Sequence, residues 1–178
     1  MDRSATQGTP SSNSNRPSTP HAPALIEPVA WKDLRAVVDV QKRSFPARLA
    51  YGWGALLTLR VWPGVTFLVA KDPATGDVMG CVIGDQSRGS ARVMNLAIHP
   101  DWRRRGVGRA LLRALDAALP DGDMTLMVQE HNLGAQALYV AEGFVSTGTV
   151  ANYYGKGQHG ISMRKPRHAP DKPRTIVS

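Results

Sequence analysis

The feature that most constrains the fold is a strand, a loop rich in arginine and glycine, and a helix that follow one another directly. The strand is Ala91 to Ile98, the loop runs from His99 to Gly108, and apolar residues then recur at helical spacing from Val107 to Ala118. A helix N-terminus exposes unpaired N–H groups and about half a positive charge, so glycines there admit an anion to backbone donors. The junction therefore predicts a phosphate site, although a run of arginines is also typical of a solvated surface.

The junction matches neither of the common nucleotide motifs. A Walker loop needs Gly-Lys-Ser/Thr, and a dinucleotide-binding loop needs a third glycine where this chain has Leu111. A Gly-x-Gly pair alone is weak support, so these residues leave both interpretations open.

Composition divides the 178 residues into one domain and two tails. Residues 1–24 are dominated by Ser, Thr, Pro and Asn and predict a disordered tail. Residues 166–178 alternate prolines with basic residues and predict a second, basic disordered tail. The folded domain is expected over residues 25–165.

Periodicity within the domain predicts helices and strands whose order along the chain is typical of the α/β (α+β) fold class, with a sheet of mixed direction. Helical spacing appears at Trp31, Leu34, Val37 and Val38, and again at Leu49, Trp53, Leu56 and Leu57. Apolar runs predict strands at 65–70, 78–84, 91–98, 124–129, 144–150 and 160–163, the first two joined as a hairpin. Asn132 is expected to cap a further helix, which Gly143 ends.

Charge and cysteine content restrict the function classes. The formal net charge is +8, from 22 Lys+Arg against 14 Asp+Glu, which favours anionic ligands. Cys81 is the single cysteine, so an intramolecular disulfide and a multi-cysteine metal site are excluded; the thiol is expected to be buried and inert, and we expect no metal. With no signal peptide and no apolar run of about 20 residues, the sequence predicts a cytoplasmic protein without a membrane partner.

Two motifs in the expected order carry a family resemblance. Asn95-Leu96-Ala97-Ile98-His99-Pro100, followed by Arg103-x-x-Gly106-x-Gly108, resembles the acetyl-CoA motif of the GNAT superfamily of N-acetyltransferases. Asn132-x-x-Ala135-x-x-Leu138-Tyr139-x-x-x-Gly143-Phe144 resembles that superfamily's second signature. The likeness implies a mixed, mostly antiparallel sheet of about six to seven strands, flanked by about four helices. In that fold the strands ending at Ile98 and Gln129 splay apart to make a slot for the acyl donor.

The resemblance also implies the donor-binding residues. The backbone of Leu96, Ala97 and Ile98 would pair with the pantetheine arm, and Asn132 and Ala135 would contact the same donor. The pyrophosphate would bind at Arg103, Arg104, Arg105, Gly106, Val107, Gly108 and Arg109. Tyr139 would be the general acid. A phenol with a pKa near 10 can protonate a thiolate whose conjugate acid has a pKa near 8.5.

A narrower likeness concerns the acceptor. Ser44-Phe45-Pro46, Asn152-Tyr153-Tyr154 and Ile161-Ser162-Met163 resemble the bacterial ribosomal-protein-alanine N-acetyltransferases. In that branch Phe45, Tyr153 and Tyr154 would contact the first residues of a peptide. The Glu that usually serves there as general base is replaced by Met127, and neither Glu130 nor His131 is a clear substitute, so the base stays open.

The α-amine of a protein is the favoured acceptor. An α-amino group with a pKa near 7.8 is roughly a fifth neutral at pH 7.2, whereas a lysine amine is neutral in under about one part in a thousand. A small-molecule amine remains an alternative. A non-catalytic RNA- or ribosome-binding module is disfavoured, because no aromatic residues are interleaved with the basic tails. Monomer and homodimer, and longer acyl-CoA donors, stay open.

Overall fold

Seven strands and four α-helices make up the fold in the computed structural model, which describes residues 23–87, 89–119 and 121–167. The strands are β1 (Leu25–Pro28), β2 (Val65–Lys71), β3 (Val78–Ser87), β4 (Ser90–Ile98), β5 (Met124–Gln129), β6 (Val145–Val150) and β7 (Gly160–Lys165). The helices are α1 (Leu34–Ser44), α2 (Trp53–Val61), α3 (Val107–Ala118) and α4 (Leu133–Ala141). Short 3-10 turns cover Trp31–Asp33 and Pro100–Trp102.

The strands form one sheet in the order β1-β2-β3-β4-β5-β7-β6. Neighbouring strands are antiparallel except β4 and β5, which are parallel. The mixed, mostly antiparallel sheet and four helices predicted from the sequence are thereby confirmed.

Three local expectations differ from the structure. The edge strand β1 was not predicted, because four residues ending in Pro28 are too few to show an alternating pattern. Trp31 lies in a 3-10 turn and is 58% exposed, so the first α-helix begins only at Leu34. Leu49 precedes α2, since the chain does not resume a helix after Pro46 until Trp53. Of the two predicted tails, all but residues 23, 24, 166 and 167 lie outside the described residues.

The central strands are buried on both faces, which explains their continuous apolar runs. On one face Leu68 and Val82 pack in a cluster with Leu111 and Leu115 of α3. On the other face the alternate strand residues pack in a second cluster with α1 and α2; its members include Phe67, Val69, Cys81, Ile83, Val37, Val40 and Leu56. The sheet thus separates the Arg/Gly junction and α3 on one side from α1 and α2 on the other.

The splay predicted between the central strands is present. β4 and β5 pair over three residues only, where Ala91–Val93 lie opposite Met124–Leu126. At the same point β4 bulges against β3, because Ile83 pairs with Asn95 and Gly84 with Val93, which leaves Met94 as the extra residue. A bulge bends its strand and increases the local twist, so β4 turns away from β5 beyond Val93.

Glu142, at the end of α4, connects that helix to α3. Its carboxylate accepts from Arg113 Nε at 2.8 Å and Arg113 Nη2 at 3.1 Å, and lies 2.9 Å from Arg109 Nε. The Glu142 side chain is only 5% exposed, whereas both arginines are more than half exposed. The hydrogen bonds of Arg113 lower the pKa of Glu142 below its ordinary value of 4.5.

We expect Glu142→Gln to lower the free energy of unfolding by on the order of 1 kcal/mol at neutral pH, a modest value because solvent screens both arginines. A carboxylate with a lowered pKa in the folded state stabilises the protein above its unfolded pKa. The difference between wild type and variant, measured by urea denaturation, should therefore shrink as the pH falls below about 4.5. Asp39→Asn, which removes an exposed pair with Arg43, is the matched control and should change little. A difference that grows in acid would contradict this assignment.

Cys81 is expected to resist alkylation while the protein is folded. The residue is fully buried in β3, and that burial raises the pKa of its thiol to about 12. Because the thiolate is the reactive form, iodoacetamide should label Cys81 only after denaturation, as read by intact-mass spectrometry. Equal labelling rates in buffer and in denaturant would show that β3 opens readily.

Candidate active site

Two adjoining cavities open where β4 and β5 diverge. The tyrosine cavity, of about 330 Å³, is lined among others by Tyr51, Tyr153 and Tyr154. The phosphate-loop cavity, of about 620 Å³, is lined among others by Arg103, Arg104, Gly106, Gly108 and Arg109. Both cavities share the residues Phe45, Leu96, Asn132, Ala135 and Tyr139. A ligand in one cavity can therefore meet a ligand in the other at these five positions.

The backbone of β4 presents polar groups to the slot. His99 N–H donates to Met79 O of β3, and backbone groups alternate sides along a strand, so the groups of Leu96 and Ile98 point towards β5. The Ile98 carbonyl already accepts from Ser44 Oγ at 3.0 Å and from Arg103 Nε at 3.3 Å. Three other backbone groups of these two residues face the slot: Leu96 N–H, Leu96 C=O and Ile98 N–H.

The loop between β4 and α3 is curled by two residues in the left-handed region. Arg104 has φ +59°, which is uncommon for a residue with a side chain, and Gly106, the residue before α3, has φ +82°. A Cβ on Gly108 would lie 3.2 Å from Leu138 Cδ2, a tight contact from which Leu138 would have to move by a few tenths of an ångström. Glycine there keeps α3 close to α4 and leaves its first turn accessible.

The other residues predicted in this loop have distinct surroundings. Arg105 lies over the Trp102 ring at 5.0 Å, and Trp102, which the sequence did not single out, lines the phosphate-loop cavity. The side chains of Ala97 and Val107 are buried in the two cores. Only the backbone of these two residues can face a ligand.

Asn132 caps α4 as the sequence predicted. Its Oδ1 accepts from Ala135 N–H at 3.1 Å. Gln136 Nε2 donates to the carbonyls of Gln129 and Glu130, which fixes the turn between β5 and the helix. The start of α4 is thereby held against the open side of the slot.

Tyr139 lies where the two cavities meet. It is 7% exposed, and its ring packs edge-on against Phe144 with 5.7 Å between centroids. Burial raises the pKa of Tyr139, and the nearby Tyr154 adds to the rise. The phenol therefore keeps its proton throughout the physiological pH range.

Tyr153 and Tyr154 form one wall of the tyrosine cavity. Their rings are in edge contact at 4.9 Å, and Tyr154 Oη donates to Met127 O at 2.9 Å. Burial raises the pKa of Tyr154 to about 12, so it remains a hydrogen-bond donor. A Cβ on Gly160 would lie 2.7 Å from Met127 Sδ, so glycine at this position lets the wall approach β5.

The segment after α1 forms the facing wall. Phe45 lines both cavities, and Tyr51 lines the tyrosine cavity. The fully buried Gln41 supports this wall: its Nε2 donates to Asn95 Oδ1 at 2.6 Å, and its Oε1 accepts a longer bond from Tyr51 N–H at 3.5 Å. Phe45 was predicted, whereas the roles of Gln41, Asn95 and Tyr51 were missed; the available signal was a polar side chain at apolar spacing in α1 and β4.

The structure also locates the residues considered as a general base. β5 ends at Gln129, so Glu130 and His131 lie in the following turn, and neither lines either cavity. Met127 does line the tyrosine cavity.

Among the helices that the structure describes, none is long and apolar enough to cross a bilayer.

Comparison with known proteins relates this arrangement to an enzyme family. A model described as an acetyltransferase (GNAT) domain matches residues 63–146. The [ribosomal protein bS18]-alanine N-acetyltransferase of Salmonella typhimurium is 41% identical over 136 residues, which cover 75% of this chain and 88% of the relative.

Two solved structures have the same fold. The ribosomal-protein-S18-alanine N-acetyltransferase of Escherichia coli superposes with a TM-score of 0.72 at 24% identity, covering 84% of this chain and 97% of the other. Ard1 of Thermoplasma volcanium superposes with a TM-score of 0.73 at 28% identity, covering 83% and 100%. The chain therefore belongs to the GNAT acetyltransferase family and is an N-acetyltransferase, as its two motifs predicted.

Proposed function

We propose that this protein transfers the acetyl group of acetyl-CoA to the α-amine of a protein or peptide N-terminus. The observation that carries the proposal is the junction of two cavities at Tyr139, one bounded by the Arg/Gly loop and the other by paired tyrosines. Such a junction is what direct transfer between two bound reactants needs, because the reacting atoms must come within about 3 to 3.5 Å.

The phosphate-loop cavity fits a coenzyme A thioester. The first turn of α3 offers backbone N–H donors, Gly106 and Gly108 keep it accessible, and Arg104 and Arg109 add positive charge. Leu96 and Ile98 offer strand-edge groups that can pair with the amides of a pantetheine arm. Asn132 and Ala135 line both cavities and would contact the same donor.

Acetyl-CoA, when bound, supplies an activated acyl group whose C–S bond breaks as the amine forms a C–N bond. Tyr139 holds a proton at Oη at the cavity junction, so we assign it as the acid that protonates the departing thiolate. Arg103 and Ser44, by bonding the Ile98 carbonyl, hold the end of β4 in place for this step. The amine loses one proton to water, as no protein base is assigned, and Tyr139 regains from water the proton that it gave to the thiolate.

We propose the tyrosine cavity as the binding site of the acceptor. Phe45, Tyr153 and Tyr154 line it, and we assign to them the contacts with the first residues of an entering peptide. The Salmonella relative is named as an N-acetyltransferase for an alanine of ribosomal protein bS18. An α-amine also offers a usable neutral fraction at pH 7, which suits a site where Met127 stands in place of a carboxylate.

The direct test combines calorimetry with mass spectrometry. We expect acetyl-CoA to bind the purified protein and to acetylate peptides with a free N-terminal alanine. The same peptides with a blocked N-terminus but an internal lysine should stay unmodified, because a lysine amine is almost entirely protonated. Acetylation confined to polyamines, amino acids or antibiotics would replace this proposal with a small-molecule acetyltransferase. Failure to bind acetyl-CoA would remove it.

Replacing the proposed acid tests the mechanism. We expect Tyr139→Phe to lower kcat by roughly 10²–10⁴-fold, the usual contribution of a general acid. The acetyl-CoA dissociation constant, measured by calorimetry, should change by less than about twofold, because the lost hydroxyl acts on the leaving group. Turnover equal to that of the wild type would remove Tyr139 as the acid, and a matching loss of donor affinity would make it a binding residue.

A further inference from the structure

The charge of the tyrosine cavity comes from Arg92. Of the described residues that line this cavity, Arg92 is the one with a formal charge, and the rest are aromatic, aliphatic or neutral polar. An incoming chain therefore meets a cation on the wall formed by β4.

Arg92 is held in place by the residue opposite it on β3. Arg92 and Asp85 are cross-strand partners. Arg92 Nε donates to Asp85 Oδ1 at 3.1 Å, and Nη2 donates to Oδ2 at 2.6 Å. This two-point contact uses two of the five guanidinium N–H donors and fixes the plane of the group.

The pair is asymmetric with respect to solvent. The Arg92 side chain is 58% exposed and the Asp85 side chain 18%, and Asp85 does not line the cavity. The carboxylate thus lies behind the guanidinium, which presents its remaining donors to a ligand. Tyr51 and Tyr153 line the same cavity as Arg92.

The position of Arg92 along β4 sets which part of a peptide it can reach. Leu96, at the junction of the two cavities, is four residues from Arg92, or at most about 13 Å at the usual strand rise, since the bulge at Met94 shortens the path. An extended peptide advances by a similar rise, about 3.3 Å per residue. For a peptide that has its amine at the junction and runs along β4 towards Arg92, the side chains of the second to fourth residues come within reach of the guanidinium.

We propose that Arg92 is a specificity-determining residue that selects acceptor peptides with Asp or Glu among their second to fourth residues. This rests on the proposed function, because it assumes a peptide in the tyrosine cavity. A carboxylate there replaces water on the free donors of a guanidinium already oriented by Asp85, so little side-chain entropy is lost on binding. A lysine or arginine at the same positions is repelled.

The experiment compares peptides that begin with alanine and differ only in carrying Asp, Asn or Lys at residues two to four. We expect kcat/KM of the wild type to favour the Asp over the Asn peptide by about tenfold or more, the range for a hydrogen bond to a charged group, and to disfavour the Lys peptide. Arg92→Gln should bring the Asp-to-Asn ratio close to one, and Arg92→Glu should favour the Lys peptide. Arg92→Lys, which keeps the charge, should keep part of the preference.

Arg35→Gln is the matched control, since it removes one positive charge from the exposed face of α1 outside both cavities. It should leave the peptide ratios unchanged. Thermal denaturation of each variant checks folding, and Arg92→Lys carries the test if Arg92→Gln does not fold.

Each outcome has a distinct meaning. Equal kcat/KM for the three peptides in the wild type overturns the role of Arg92 and leaves the proposed function intact. A uniform loss with all peptides in Arg92→Gln, at unchanged ratios, also overturns it and makes Arg92–Asp85 a purely structural pair. Acetylation of none of the free-amine peptides overturns the proposed function, and this inference with it.

Discussion

Past Val93, β4 and β5 are not paired by backbone hydrogen bonds, and this separation determines the rest of the site. Past Val93 the two strands lose register, and an extra residue at Met94 bends β4 away. In an ordinary sheet this region would be closed and buried. Here the polar backbone of β4 faces an opening that neighbouring elements border from both sides. The cavities, the junction at Tyr139 and the access to Leu96 all follow from this local failure of pairing.

Two features support the sheet where β4 and β5 separate. The strands stay paired before the bulge, at Ala91–Val93, and helices lie beside the opening. α3 and α4 are joined through Glu142 to Arg109 and Arg113, so the Arg/Gly loop and the helix carrying Tyr139 are held by one buried carboxylate. Because charged groups near the surface attract each other only weakly, this link positions the helices more than it stabilises the domain. The proposed phosphate site and the proposed acid thus share a common support.

Much of the fold could be predicted from the sequence because its signals are local. The period of α3, the hairpin turn at residues 72–77 and the Asn132 cap each depend on neighbouring residues, and the structure has them where the sequence placed them. The strand β1 was missed because its order comes from pairing with Val69 and Lys71, more than forty residues away. Trp31 was misplaced because helical spacing alone does not distinguish a 3-10 turn from the first turn of a helix.

The residues of the candidate site likewise divide into those that the sequence could predict and those that it could not. Motif residues such as Asn132, Gly108 and Tyr139 were found because their spacing is fixed within one loop-helix unit. Arg92, Asn95 and Tyr51 were not, since the cavity they line is assembled from β4, the segment after α1 and the β6–β7 connection. The bulge at Met94 left no readable signal, because an extra residue in one strand is defined only by its partner strand.

The contacts of α1 with β4 have a consequence for the rigidity of the slot border. Gln41 holds Asn95 just past the bulge, and Ser44 holds the last carbonyl of β4, so the segment that begins at Phe45 is anchored to the strand that would carry the thioester. Two side-chain hydrogen bonds thus tie the wall that follows α1 to the strand at the edge of the slot. The two cavities therefore share one connected frame, and a change of Gln41 or Ser44 would alter the border that they have in common.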